Sequence, residues 1–167
     1  MGLKGKLLGQ IEISFHGDLF HEILGARPHH LPSMTSVIHE VGGQWGTQGC
    51  TTKYKYTQLT KDYKKAGIQT CDLIIICGKT ETEEAVMDII DNEKKIVKYR
   101  IVKGDVLKSY KSFIVTCEVE TNGDDKFVTW TVVYEKLKEE IPEPLTYMEY
   151  FFTVTKDLDN HHAKPNP

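Results

Sequence analysis

Apolar and polar residues alternate with period two along much of the chain, the pattern of strands that bury one face and expose the other. In 9–15, Ile11, Ile13 and Phe15 alternate with Gln10, Glu12 and Ser14. In 96–103, Val97, Tyr99 and Ile101 alternate with Lys98, Arg100 and Lys103. SFIVTCEVE, 112–120, puts Phe113, Val115, Cys117 and Val119 on one face, and FVTWTVVYE, 127–135, does the same with Val128, Trp130, Val132 and Tyr134. Asp91-Asn92 and Asn122-Gly123-Asp124-Asp125 supply turn chemistry, so consecutive strands pair as hairpins. The period changes in two places. DLFHEILGARPHHLPSM, 18–34, reads as two short helices split by Gly25 and Pro28. Pro142 and Pro144 stop the last strand and suit a helix start. From Leu145 to His162, apolar residues fall at 147, 148, 151, 154 and 158, an amphipathic helical stripe that Tyr150 and Phe152 widen.

The predicted order is a strand, two short helices, about six strands and one long helix, an α+β arrangement. A single antiparallel sheet has one apolar face to cover, and the long helix is the only large element able to cover it. A curved sheet wrapped around one helix leaves a volume between them, and such a volume suits a small apolar molecule.

GGQWGTQGCTTKYKY, 42–56, raises the question of a phosphate loop. Such a loop needs a helix directly after its glycines, so that backbone N–H groups face the anion. Here an alternating strand follows. Gly78-Lys79-Thr80 spells the end of a Walker A motif, but Leu73 stands where its leading glycine belongs. The glycines read instead as a tight turn between strands, with Gly42, Gly43, Gly46 and Gly49 permitting positive φ.

Composition narrows the classes. Hydrophobic residues make up 40% of the 167 and charged residues 27%, an ordinary globular balance that suits one domain spanning 1–167. A net charge of −3 gives no support to nucleic-acid binding. The densest apolar run, Leu73 to Cys77, is far too short to insert in a membrane. MGLKGKLLGQIEISF has no apolar core of signal-peptide length, which predicts a cytoplasmic, reducing setting. The cysteines at 50, 71, 77 and 117 form no CxxC pair and read as free thiols. His29-His30 and His161-His162 are adjacent pairs with no HExxH, so neither a metal nor another cofactor is expected.

The stretches GKL, DLFHEI, RPHH, IHEVGGQWGTQG, GDVLKSYKSFIVTCEVE, VTWTVVYEKLKEEIPEP and KDLDNH cover nearly the whole chain. Together they resemble the major latex protein branch of the plant Bet v 1 (pathogenesis-related class 10) family. The resemblance implies a helix-grip, START-like fold: a seven-stranded antiparallel sheet around a long C-terminal helix, with two short helices after strand 1. It implies that 42–49 is the family's glycine-rich loop, and that an internal cavity takes an apolar ligand. The chain departs from the family pattern in an insertion at about 57–76, between strands 3 and 4, and in a few residues missing after RPHH. The insertion reads as a longer hairpin with KDYKKAG, 61–67, at its tip; the alternative is a flap whose Leu73–Ile76 run covers a cavity mouth.

Strand parity and the matching family positions nominate Tyr54, Tyr56, Met87, Ile89, Val97, Tyr99, Phe113 and Val115 as inward-facing. The long helix adds Tyr147, Met148 and Phe151, and the RPHH motif adds His30. Tyrosines in such a pocket offer a ring to pack on and a hydroxyl to orient a polar atom. The resulting expectation is a carrier or store for a small hydrophobic plant metabolite, related to defence or stress, acting as a monomer with sheet edges able to support a weak dimer. The alternative is a cofactor-free enzyme that cyclises or isomerises a reactive intermediate. It requires an acid or base with a tuned pKa in the pocket, for which His30, His16, His39 and the hydroxyls of Tyr54, Tyr56 and Tyr99 are the candidates.

Overall fold

The computed structural model describes residues 3–61 and 75–162. Among these, seven strands form one antiparallel sheet in the spatial order β1-β7-β6-β5-β4-β3-β2. They are β1 Lys4–Ile13, β2 Ile38–Gly43, β3 Thr51–Lys61, β4 Ile75–Asp91, β5 Ile96–Gly104, β6 Tyr110–Asn122 and β7 Asp125–Lys136. From β2 to β7 each strand pairs with its sequence neighbour, as turn chemistry at the hairpins dictates. β1 and β2 lie at opposite edges, so the chain must cross the sheet between them. It does so through helix α1 (Gly17–Ala26), a 3-10 turn at Pro28–His30 and the single turn α2 (Leu31–Met34). The long helix α3 (Leu145–His162) follows β7.

The alternation read from sequence is the burial pattern of the sheet. Phe113, Val115, Cys117 and Val119 of β6 and Val128, Trp130, Val132 and Tyr134 of β7 are all buried. So are Tyr147, Met148, Tyr150, Phe151, Val154 and Leu158 of α3, which lies on that face. Two aspartates clamp the C-terminal half of α3. Asp157 accepts hydrogen bonds from the backbone N–H and hydroxyl of Ser36 at 2.8 and 2.7 Å. Asp159 accepts from the backbone N–H and hydroxyl of Ser14 at 2.9 and 2.8 Å and from the Phe15 N–H at 3.2 Å. Both ends of the crossover are thereby tied to the helix that covers the sheet.

Some boundaries differ from the sequence reading, each for a local reason. β1 begins at Lys4 because its first half pairs with β7 from Lys4↔Glu135 onward; Gly5 and Gly9 had interrupted its apolar alternation. Gly25 does not split the helical zone. It stays inside α1, where a β-carbon would stand 3.3 Å from Ile90 Cγ2. The break comes at Arg27, whose φ of −133° reflects the clash that Pro28 imposes on the residue before it. β3 and β4 remain paired through Leu59↔Gly78 and Thr60↔Cys77 out to Lys61↔Ile75. The hairpin tip expected at 61–67 falls, beyond Lys61, outside the described residues, as does Cys71.

The glycine-rich segment between β2 and β3 is a turn. Gly42 is still in β2, paired with Lys53, while Gly43, Gly46 and Gly49 adopt φ of +79°, +89° and +88°. Within it, the Trp45 ring stacks on His29 at a centroid distance of 4.6 Å. The two motifs that carry the family resemblance, RPHH and W-G-x-x-G, thus hold each other.

Candidate functional site

The inward face of β4 contains two carboxylates. Counting back in steps of two from buried Met87 leads through Ala85 to Glu83 and Glu81, so both point toward α3. Their surroundings differ. Glu81 is buried, and one of its oxygens, Oε2, accepts hydrogen bonds from the hydroxyls of Tyr56 and Tyr147, each at 2.9 Å. Glu83, half-buried, makes no ion pair among the described residues, and its one hydrogen-bonding neighbour is the Tyr56 hydroxyl, whose proton goes to Glu81 Oε2. Its backbone is fixed by β5: Gly104, its partner across the ladder, holds φ +136°, and a β-carbon there would stand 2.7 Å from Glu83 Cα. Only glycine fits so close to the neighbouring strand.

Glu83 borders a narrow chamber between the sheet and the helices. The wall from the sheet is Tyr54, Met87, Val97, Tyr99, Cys117 and Trp130. Leu24 of α1, Leu31 of α2 and Ile38 of β2 close one side, and Tyr150, Phe151 and Val154 of α3 close the other. Trp130 lies flat on Phe151, with centroids 4.6 Å apart and planes 9° from parallel. Its indole N–H donates to the Thr155 hydroxyl at 2.8 Å, and that hydroxyl donates to the Phe151 carbonyl at 2.8 Å. This wall is therefore fixed by both packing and hydrogen bonds.

The polar atoms that remain belong to Tyr54, Tyr99 and Tyr150, whose hydroxyls make no hydrogen bond among the described residues. Burial pushes the pKa of all three upward, and the nearby charge of Glu83 is the next cause for each. Glu83 itself is pushed up to about 8, first by desolvation and further by Glu81, while the Tyr56 hydroxyl, as a hydrogen-bonding neighbour, opposes the rise. A carboxyl group is thus held mostly neutral at pH 7, next to three unengaged hydroxyls and against aromatic walls. Burial also raises the pKa of the Cys117 thiol in the same wall.

The nominated residues divide. Tyr54, Met87, Val97, Tyr99 and Phe151 line the chamber. Tyr56, Phe113, Val115, Tyr147 and Met148 are buried but pack as core, with Phe113 against Tyr147 at 5.1 Å and Tyr56 against Tyr150 at 4.8 Å. Ile89 faces outward and is 39% exposed. A β-bulge between Met87 and Ile89 inserts Asp88 and reverses the parity, so Ile90 takes the inward place against Gly25. His30 is half-buried with its ring edge-on to His29, away from the chamber. His16 is exposed at the start of α1, and His39 is exposed and bonded to Thr57. None of the three histidines reaches the chamber. Sequence reasoning missed Glu83 and Tyr150. The signal for the first was parity from Met87, obscured by the polar look of TETEE; the second had been counted only as widening the helical stripe.

The space is small. The chamber holds about 30 Å³, room for a water or two, against several hundred Å³ for a drug-sized ligand. The rings of Tyr54, Tyr99, Tyr150, Trp130 and Phe151 occupy what the resemblance implied would be open volume. A second, open groove of about 580 Å³ lies along β2, β3, β4 and the end of β5, where Glu84 is shared by Lys53 at 3.4 Å and Lys103 at 3.7 Å. It carries solvated ion pairs, and it shares Tyr54 and Glu83 with the chamber. Among the described residues no group of three or more metal-ligating side chains is found, and no helix is long and apolar enough to cross a membrane.

An antiparallel sheet gripping one long helix, with a polar-floored aromatic chamber between them, defines the helix-grip, START-like class. The model of the pathogenesis-related protein Bet v 1 family matches residues 2–164, and the chain belongs to that family, in its major latex protein branch. Ginseng (Panax ginseng) major latex-like protein 151 superposes with a TM-score of 0.82 at 32% identity, over 98% of this chain and 100% of that one. MLP-like protein 31 of Arabidopsis thaliana is 29% identical, over 95% of this chain and 86% of its own length. Norcoclaurine synthase of Thalictrum flavum shares the fold alone, with a TM-score of 0.69 at 14% identity over 98% of this chain.

Proposed function

We propose that the protein binds a small, mostly apolar metabolite in the chamber between sheet and α3, as a carrier or store with a role in defence or stress. The observation that carries this reading is the convergence of Glu83, Tyr54, Tyr99 and Tyr150 on one apolar space: the three hydroxyls make no hydrogen bond among the described residues, and Glu83 has only Tyr56, already bonded to Glu81. Buried polar groups are normally paired within the protein. A set left unpaired and aimed at one volume is what a ligand with a few polar atoms completes.

The chamber must widen to admit such a ligand. Tyr150 is the side chain best placed to yield. Its ring rests against Tyr56 and Phe151, and its displacement breaks no hydrogen bond among the described residues. Trp130, tied to Thr155, stays. The pairing of β3 with β4 as far as Lys61↔Ile75 supports reading 57–76 as an extended hairpin of the same domain rather than as a separate flap.

A second reading has one observation in its favour. A carboxyl group with a pKa near 8 gives and takes a proton readily at neutral pH, as a general acid or base in a cofactor-free isomerisation requires. The same preparation tests both. The protein is incubated with a metabolite extract and examined by native mass spectrometry, while the solution is followed by chromatography. A compound retained one-to-one and lost in the triple variant Tyr54→Phe/Tyr99→Phe/Tyr150→Phe supports the carrier. A compound consumed by the wild type and not by Glu83→Gln supports the enzyme. Retention unchanged in the triple variant places the site elsewhere.

A further inference from the structure

The chamber contains acid and no base. Of its lining residues, Glu83 is the only one with a carboxyl group, Glu81 lies two positions along the same strand face, and no lysine, arginine or histidine is among them. The one buried lysine among the described residues, Lys136, is paired with Glu143 at 2.7 Å and takes no part in the lining. Buried carboxylates elsewhere are paired with a cation or fully hydrogen-bonded. Glu81 takes two hydrogen bonds on Oε2, from Tyr56 and Tyr147, whereas Glu83 has no cation beside it and only Tyr56, already bonded to Glu81, as a hydrogen-bonding neighbour.

The rest of the wall suits the missing partner. Tyr150, only 8% exposed, lines the space with a hydroxyl that makes no hydrogen bond among the described residues, and Tyr54 and Tyr99 add two more acceptors. Trp130 and the tyrosine rings offer π-faces, which attract organic cations at short range. A carboxylate ligand would set a third carboxyl group beside Glu81 and Glu83, and a neutral one would gain no charge pairing from Glu83. Resting on the reading of the chamber as the ligand site, we propose that the ligand is a small organic ammonium with an apolar or aromatic body, its nitrogen seated between Glu83 and the hydroxyls of Tyr54, Tyr99 and Tyr150. Binding such a cation makes Glu83 ionise, so a proton leaves the complex at neutral pH.

The test uses the whole chain and three isosteric probes: benzylamine, benzyl alcohol and benzoate. Binding is read from the indole N–H resonance of Trp130 in the chamber wall, with Trp45 in the glycine-rich turn as internal control. Calorimetry in two buffers of different ionisation enthalpy reads proton release. Benzylamine is expected to bind at least tenfold tighter than benzyl alcohol, with benzoate weakest, and to release roughly one proton per complex at pH 7. In Glu83→Gln the amine and the alcohol are expected to bind equally, without proton release. Benzyl alcohol or benzoate binding as tightly as the amine to the wild type overturns the cation and leaves the chamber standing. If no probe moves the Trp130 signal at millimolar concentration, the chamber itself is not the site and both readings fall.

Discussion

Glu81 and Glu83 stand two residues apart on the same face of the same strand, yet the fold treats them in opposite ways. Glu81 collects two tyrosine hydroxyls on one oxygen, in a region packed by Phe113, Tyr147 and Tyr56. Glu83 has Tyr54, Tyr99 and Tyr150 around it without a hydrogen bond from any of the three, and shares Tyr56 with Glu81. The first region is finished as core: its polar groups satisfy one another and its volume is filled. The second holds the same residue types but leaves their polar atoms facing a common space. Identical chemistry on one strand therefore separates a core site from the proposed binding site, and the difference lies in how many partners each group has.

The largest expected effect breaks that contrast through pH. Because desolvation and Glu81 raise the pKa of Glu83 to about 8 in the folded protein, ionising it favours the unfolded chain. Stability should fall as pH rises from the ordinary glutamate value to about 8, and level off beyond. The upper limit is about 1.4 kcal/mol per pH unit within that window. Urea denaturation of wild type and Glu83→Gln at several pH values checks this: the decline should be absent in the variant. A matching decline in both would show that Glu83 is not the group responsible.

Removing one donor from the finished side comes next. Tyr56→Phe leaves Glu81 with a single hydroxyl and should cost about 1.5–3 kcal/mol in denaturant unfolding. Tyr147→Phe should behave alike, and the two together should be non-additive because they share one acceptor atom. Gly104→Ala follows at about 1–3 kcal/mol, since alanine is strained at φ +136° and its methyl group meets the backbone of Glu83. It should also shift the resonances of chamber residues, which a purely global loss of stability would not do selectively. The smallest effect is the most informative. Tyr150→Phe deletes a hydroxyl that makes no hydrogen bond among the described residues, so thermal unfolding should change by less than about 0.5 kcal/mol while ligand retention weakens.

The fold was legible in the chain because one face of nearly every strand is apolar. Parity placed Phe113, Val115, Val97 and Tyr99 correctly, and the helical stripe placed Phe151. Where parity failed, a local event intervened that alternation does not encode. The bulge at Asp88 turned Ile89 outward, and Gly5 and Gly9 hid the first half of β1. The site was legible only as a set of inward tyrosines. Which of them would be engaged depended on hydrogen-bond geometry between β3, β4 and α3, a relation among distant residues. Tyr56 and Tyr147 looked no different in sequence from Tyr54 and Tyr99. Polar TETEE read as a solvated strand end, although its alternate glutamates face the helix. The volume of the chamber was not legible at all, because ring packing around Trp130 and Tyr150 decides it.

The most direct measurement is the titration of the Glu83 side-chain carboxyl carbon by NMR in the unliganded protein, assigned by comparison with Glu83→Gln. The expected midpoint is near pH 8, with a fall toward ordinary glutamate values on addition of benzylamine. A midpoint near 4.5, unmoved by the amine, would mean that Glu83 is solvated rather than enclosed, and would contradict the chamber as the binding site.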